Sequence, residues 1–187
     1  MASKYTYTTI PEDAFNKLAV NAGILVDSFD PSTRKIGNQI GATTGGVTIT
    51  CKPEIKDMGS DVDNCPKNTM ELATIDSWEC KLSGTMVTID VSTLQMFVGA
   101  GDTSGTKITP RMRLETADFK TLWYICDYGD GGFVAVELMN ALSTAGVSIK
   151  STDKDKANFD FEFTGYTSLD DQDTVPMAFY VDDAAAA

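Results

Sequence analysis

A chain of 187 residues, 42% of them hydrophobic and including nine Phe, six Tyr and two Trp, can bury one substantial core and is short for two independent domains. Its 27 acidic against 15 basic side chains give a formal charge of -12, which opposes any general affinity for nucleic acid phosphates or anionic lipid. The chain contains no histidine, so Ser-His-Asp triads, Cys-His pairs and histidine metal ligands are excluded.

The acids are concentrated near the end: Ser151 to Asp183 holds nine of them against two lysines, a solvated face or an electrostatic surface. No apolar run approaches the roughly 20 residues of a membrane span, and the first residues lack the order of a secretion signal, so a cytoplasmic origin is expected. Cys51, Cys65, Cys80 and Cys126 form no C-x-x-C pair and read as free thiols, with a Cys51 to Cys65 bridge left open.

In chain order, "SKYTYTT" alternates like an added strand or arm. "TIPEDAFNKLAVNAGI" then predicts a short amphipathic helix over 11–22: Pro11 suits a first helical position, Glu12 and Asp13 favour the positive end of the dipole, Phe15, Leu18 and Ala22 recur at helical spacing, and Gly23 closes it. A turn at "SFDPSTRKIG" is built on Asp30 and Pro31. "GGVTIT" places Val47 and Ile49 on one face, and "DSWECKL" does the same for Trp78, Cys80 and Leu82, so both read as half-buried strands. Between them Cys51 to Thr74 reads as a long irregular excursion.

Beyond Leu82 the apolar set becomes Val87, Ile89 and Val91, a change of parity that predicts a bulge or bend near Gly84. "STLQMFVGAG" predicts a second short helix, capped by Ser92 or Thr93, with Leu94, Phe97 and Val98 on one face and Gly99 and Gly101 at its end. From Lys107 the pattern is strand after strand. "RMRLE" alternates, while "FKTLWYICDY" and "FVAVELMN" flank the tight turn "YGDGG" and form a hairpin; a helix through "VELMNALSTAG" is the weaker alternative. Gly146 turns the chain into "VSIKS". "ANFDFEFTGY" points Phe159, Phe161 and Phe163 inward and Asp160 and Glu162 outward, and "PMAFYV" completes the set. The terminal alanines carry no structural message. The fold class expected is mainly β (α+β): an antiparallel β-sandwich or barrel-like domain with one or two short flanking helices, a long inter-strand loop and extended termini.

Chemistry-bearing clusters are few. Asp57, Asp61 and Asp63 lack the spacing and central glycine of an EF-hand loop and read as an acidic loop rather than a calcium site. Asp127 and Asp130 in "DYGDGG" are turn residues. The Phe159, Phe161, Phe163 stripe, interleaved with acids, is core rather than a base-stacking platform. No cofactor, no metal and no catalytic residue is expected.

Three stretches in order, "IPEDAFNKLAVNAGILVDSFDP", "GATTGGVTITCKPEIKDMGSDVDN" running to "WECKLSGTMVTIDVSTLQMFVGAGD", and "DGGFVAVELMN" through "MAFYV", give the chain its resemblance to the bacteriophage major tail proteins, the tail tube subunits of long-tailed phages and related prophages. The resemblance implies a single tail tube domain over 1–183, with an N-terminal arm and helix at 1–45, an inter-subunit loop at 51–74, a core sandwich at 75–183 and an alanine tail at 184–187. It implies hexameric rings stacked into a hollow tube in the virion, assembled in the host bacterial cytoplasm, with tape measure and tail tip or terminator proteins as partners, no membrane, and DNA passing through the lumen without specific binding. The loop residues that would meet neighbouring copies are Cys51, Lys52, Glu54, Lys56, Asp57, Met58, Asp61, Asp63, Lys67 and Met70. Asp160 and Glu162 are the candidate lumen-facing acids, where like charge would keep a duplex from adhering. The rival from another class is a non-catalytic β-sandwich binding module recognising carbohydrate or protein, which would present aromatics on loops; here the aromatics sit mainly at strand positions.

Overall fold

Alternation of apolar and polar side chains governs most of the chain beyond residue 18, and in the computed structural model it resolves into antiparallel strands. The structure describes residues 10–11, 14–129, 131–151 and 153–182. Within that range lie β1 (Ala19–Val26), β2 (Phe29–Asp30), β3 (Lys35–Ile36), β4 (Gln39–Gly41), β5 (Thr43–Asp57), β6 (Ala73–Met86), helix α1 (Val91–Val98), β7 (Gly101–Ser104), β8 (Lys107–Pro110), β9 (Lys120–Tyr128), β10 (Gly132–Ser143), β11 (Ser148–Lys150), β12 (Asn158–Gly165) and β13 (Met177–Asp182). The fold is mainly β, as the sequence predicts. The expected "SKYTYTT" arm, Glu12, Asp13, Asp130 and the alanine tail lie outside the described residues.

One large sheet runs in the order β4-β1-β9-β10-β12-β6-β5, while β2-β3 and β7-β8 form separate small hairpins. The sheet turns a corner in β10. Phe133 to Leu138 pair with β13, but Ala141 to Ser143 pair with β12. Between them Asn140 adopts φ +46°, and its Nδ2 donates to the Tyr166 carbonyl at 3.0 Å while the Met139 amide donates to Pro176. That bend folds the sheet over, so that Leu25 of β1, Leu122 and Tyr124 of β9, and Leu82 and Met86 of β6 share one core with the Phe159, Phe161, Phe163 stripe. The helix closes this core: Phe97 rests on Phe161 and Phe163 with ring centroids 6.1 and 5.9 Å away. A second cluster, Val26, Phe29, Trp123, Phe133 and Ala135, lies on the other face of β9 and β10, which is why "FKTLWYICDY" is apolar on both sides.

The predicted hairpin is present, with Tyr128 opposite Gly132, and β10 is a strand through the region where a helix was the alternative. The Asp30 turn also forms, its carboxylate accepting from the Ser32 amide at 2.9 Å and the Thr33 hydroxyl at 2.7 Å.

Four expectations are corrected. No α-helix spans 11–22; a 3-10 turn covers Ala14–Lys17, and β1 begins at Ala19. Pairing with β9 wins there, because Asn21 and Gly23 take positive φ and form a bulge that helical backbone cannot accommodate. The helix cap is Asp90, whose carboxylate accepts from the Thr93 amide at 2.7 Å, so Ser92 and Thr93 lie inside the helix. "RMRLE" is no strand: Arg111 folds inward and Met112 and Leu114 stand in solvent. The irregularity near Gly84 belongs to the partner strand, where Gly45 and Gly46 bulge out of β5 between Thr44 and Val47. Cys80, Leu82 and Met86 therefore keep one parity, and Val87 onward leaves the sheet.

Candidate assembly surface

Pairing continues far beyond the body of the sheet on β5 and β6. β12 covers β6 only from Lys81 to Met86, yet β5 and β6 go on pairing from Cys51 opposite Cys80 to Asp57 opposite Ala73. Residues 73–79 are exposed on both faces of their strand. Six further rungs at the usual rise carry this two-stranded ribbon roughly 20 Å past the core.

The expectation that Cys51 to Thr74 is an irregular loop is thereby overturned. Cys51, Lys52, Glu54, Lys56 and Asp57 are strand residues of β5, and only the tip between the strands turns. Asp57 organises that tip, accepting from the Gly59 amide at 2.9 Å and the Asn68 amide at 3.1 Å. Met58, Asp61, Asp63 and Lys67 are exposed around the tip, and Met70 stands in a 3-10 turn at Met70–Leu72. Asp57 thus spends its oxygens on backbone amides, and no group of three acidic or thiol side chains gathers as metal ligands among the described residues. Cys65 contacts Thr69 within the tip, far from Cys51 at the root, so the Cys51 to Cys65 bridge is ruled out by reach.

Parity gives the ribbon two unlike faces. Val47, Ile49 and Cys51 pack on the core, and the same side of β5 continues outward as Pro53 and Ile55, opposite Trp78 and Ile75. The face that is buried in the body is bare on the ribbon: Ile55 is 65% exposed and Ile75 52%, and Met70 in the turn beyond the strands is 80% exposed. On the reverse face Lys52 opposes Glu79, and Ser77 donates to Glu54 at 3.0 Å. A cleft of about 660 Å³ runs beside the ribbon root, between Ile75 to Trp78 and the 167–176 segment, where Leu169 is 86% exposed.

Asp160 and Glu162 are not part of the apolar surface. They project from β12 opposite the phenylalanine stripe, on the polar face that continues into Ser83, Lys81 and the reverse side of the ribbon. Asp160 accepts from the Thr85 hydroxyl at 2.7 Å, and Glu162 accepts from Thr144 at 2.9 Å with the Lys81 ammonium 3.6 Å away. Lys81 also contacts Glu79 at 2.7 Å, a hydrogen bond that lowers the Glu79 carboxyl and raises the lysine.

Residue-level reading missed two exposed features. One is Phe179 and Val181 on β13, 55% and 62% exposed, on a strand that among the described residues pairs on one side only, with β10. The other is Met112, which has no apolar cover at all. The sequence signal for the first was the alternation of "MAFYV", read only as the last strand of the set. No protein-family model matches this chain, and no curated protein sequence matches it significantly.

Proposed function

We propose that this chain is a non-catalytic structural subunit that assembles with copies of itself into stacked hexameric rings of a phage-type tail tube, a conduit for DNA. The observation that carries the reading is the β5–β6 ribbon. A two-stranded hairpin is marginal in water on its own, and one that leaves Ile55, Ile75 and Met70 bare gains its stabilisation when a neighbouring surface covers them. The side of β13 that has no partner strand among the described residues, with Phe179 and Val181 exposed, supplies a second contact of the kind that strand-edge association uses.

Charge distribution supports the lumen part of the proposal. Glu54, Glu79, Asp160 and Glu162 outnumber Lys52, Lys56 and Lys81 on the polar face of β5, β6 and β12, and a net acidic, hydroxyl-rich wall holds a duplex off through repulsion and retained water. Tape measure and terminator proteins are the expected heterologous partners of such a tube.

Negative-stain microscopy and sedimentation of the concentrated protein test the proposal. Rings or tubes of constant width are the expected result. Monomers that persist at every concentration, and also in the presence of a tail-initiating complex, favour the binding-module reading instead.

A further inference from the structure

The register of the ribbon brings two thiols together at its root. Cys51 of β5 and Cys80 of β6 are direct antiparallel partners, so their side chains leave the sheet on the same face. Directly opposed Cβ atoms lie about 4.5–5.5 Å apart, against about 3.5–4.5 Å in a disulfide, so closure asks for a shift of about 1 Å. Burial, together with the neighbouring Cys51, pushes Cys80 up to about 12. Both are reduced in the structure; Cys51 is half-buried and Cys80 has no exposed surface.

The position of the pair is as informative as its geometry. β12 pairs with β6 only as far as Lys81, so Cys80 is the first residue beyond three-strand support. We propose that Cys51 and Cys80 are an oxidisable pair whose disulfide clamps the root of the β5–β6 ribbon at the point where it leaves the body. The inference rests on register and burial alone and stands whether or not the chain builds tubes.

The chemistry is a thiol–disulfide exchange with a small-molecule disulfide as oxidant. The Cys51 thiolate attacks one sulfur of oxidised glutathione and expels a glutathione thiolate, leaving a mixed disulfide on Cys51. Cys80 then loses its proton to solvent and attacks the Cys51 sulfur, expelling the second glutathione thiolate. Two protein thiols are oxidised and one glutathione disulfide is reduced to two thiols. Burial makes Cys80 a slow resolving thiol, so the reaction belongs at mildly alkaline pH, about 8.5.

The full-length protein is incubated with oxidised glutathione, denatured, alkylated and mapped by mass spectrometry. Free thiols fall from four to two, Cys51 and Cys80 peptides appear joined with the mass of two hydrogens lost, and Cys65 and Cys126 remain alkylated. Cys65→Ser leaves that product unchanged, and Cys51→Ser, at the half-buried partner, abolishes it. Cys51 joined to Cys65, glutathione persisting on Cys51, disulfides between chains, or four alkylated thiols would each overturn the proposal.

Discussion

Ile55 and Ile75 face one another across the β5–β6 ribbon, direct partners in the register, and both are more than half exposed. An apolar pair of this size in water contributes little to the free subunit and a great deal to any surface that covers it. Replacing both by serine is expected to change the stability of the free subunit by no more than about 1 kcal/mol in urea unfolding. On the proposed assembly, the same variant is expected to lose self-association by sedimentation and by negative stain. Unimpaired assembly would remove the ribbon from the contact.

Salt is a second lever. Copies of a chain of charge -12 repel one another, and the screening length contracts from about 30 Å at 0.01 M salt to about 3 Å at 1 M. Assembly driven by apolar contact against that repulsion is expected to increase with ionic strength. Light scattering across a sodium chloride series checks it, and a decrease would point to interfaces held by ion pairs instead.

Gly23 is the clearest backbone constraint. It sits in the β1 bulge at φ +68°, and a Cβ there would meet the ring of Tyr124 and the Ile125 carbonyl oxygen at 2.7 Å. Gly23→Ala is expected to cost about 1–3 kcal/mol, read as a lowered urea midpoint. Gly45→Ala provides the contrast. It has positive φ but open space around it, so it carries the backbone penalty without the clash.

Arg111 gathers three carboxylates: Asp102 at 2.8 Å, Glu115 at 2.8 Å and Asp118 at 2.5 Å, with its own side chain 16% exposed. Nε has no well-directed hydrogen bond, so its attraction to Asp102 is Coulombic, while Nη2 holds Asp118 directly. Lysine is a single point charge and cannot reach in three directions. Arg111→Lys is expected to cost about 1.5–3 kcal/mol by chemical denaturation, with Asp118 the group left wanting.

The helix cap gives a pH dependence. The Thr93 amide and the Ser92 hydroxyl donate to the Asp90 carboxylate and hold it below its ordinary value of 3.8. Because the folded-state value is the lower one, the cap's contribution is fully present above the unfolded value and is lost as pH falls through the folded value, below 3.8. Asp90 is exposed, so screening keeps the effect small. Asp90→Ala is expected to lose about 1 kcal/mol at neutral pH and to show a smaller acid-induced loss than the parent. Asp90→Asn keeps a capping oxygen at both pH values. Circular dichroism melts at neutral and acidic pH separate the three.

Much of the fold was legible in residue order. The phenylalanine stripe of β12 and the β9–β10 hairpin follow from alternation and turn chemistry, which are local and survive in any context that buries one face. The misreadings have one origin. At the start of β1 the spacing of Leu18, just before the strand, and Ala22 within it satisfies a helix as well as a bulged strand, and only the presence of β9 chooses between them. Around Gly84 the apolar parity shift was real in sequence, but it marks where the chain leaves the sheet after Met86, and the bulge nearby belongs to Gly45 and Gly46 on the neighbouring strand.

The ribbon shows the same division. Cys51, Pro53 and Ile55 alternate with Lys52, Glu54 and Lys56, and that pattern is strand-like once a partner is supplied, though charge on one side and solvent on both disguised it as a loop. By itself the sequence determined the mainly-β class, the inward phenylalanines and the absence of histidine chemistry, because these depend on residue type and on spacing along one strand. The tertiary structure alone decided which strands neighbour one another. With that it decided that Ile55 meets Ile75, that Cys51 meets Cys80, and that a surface apolar by pattern stands uncovered, because register between distant strands is set by the packing of the whole sheet.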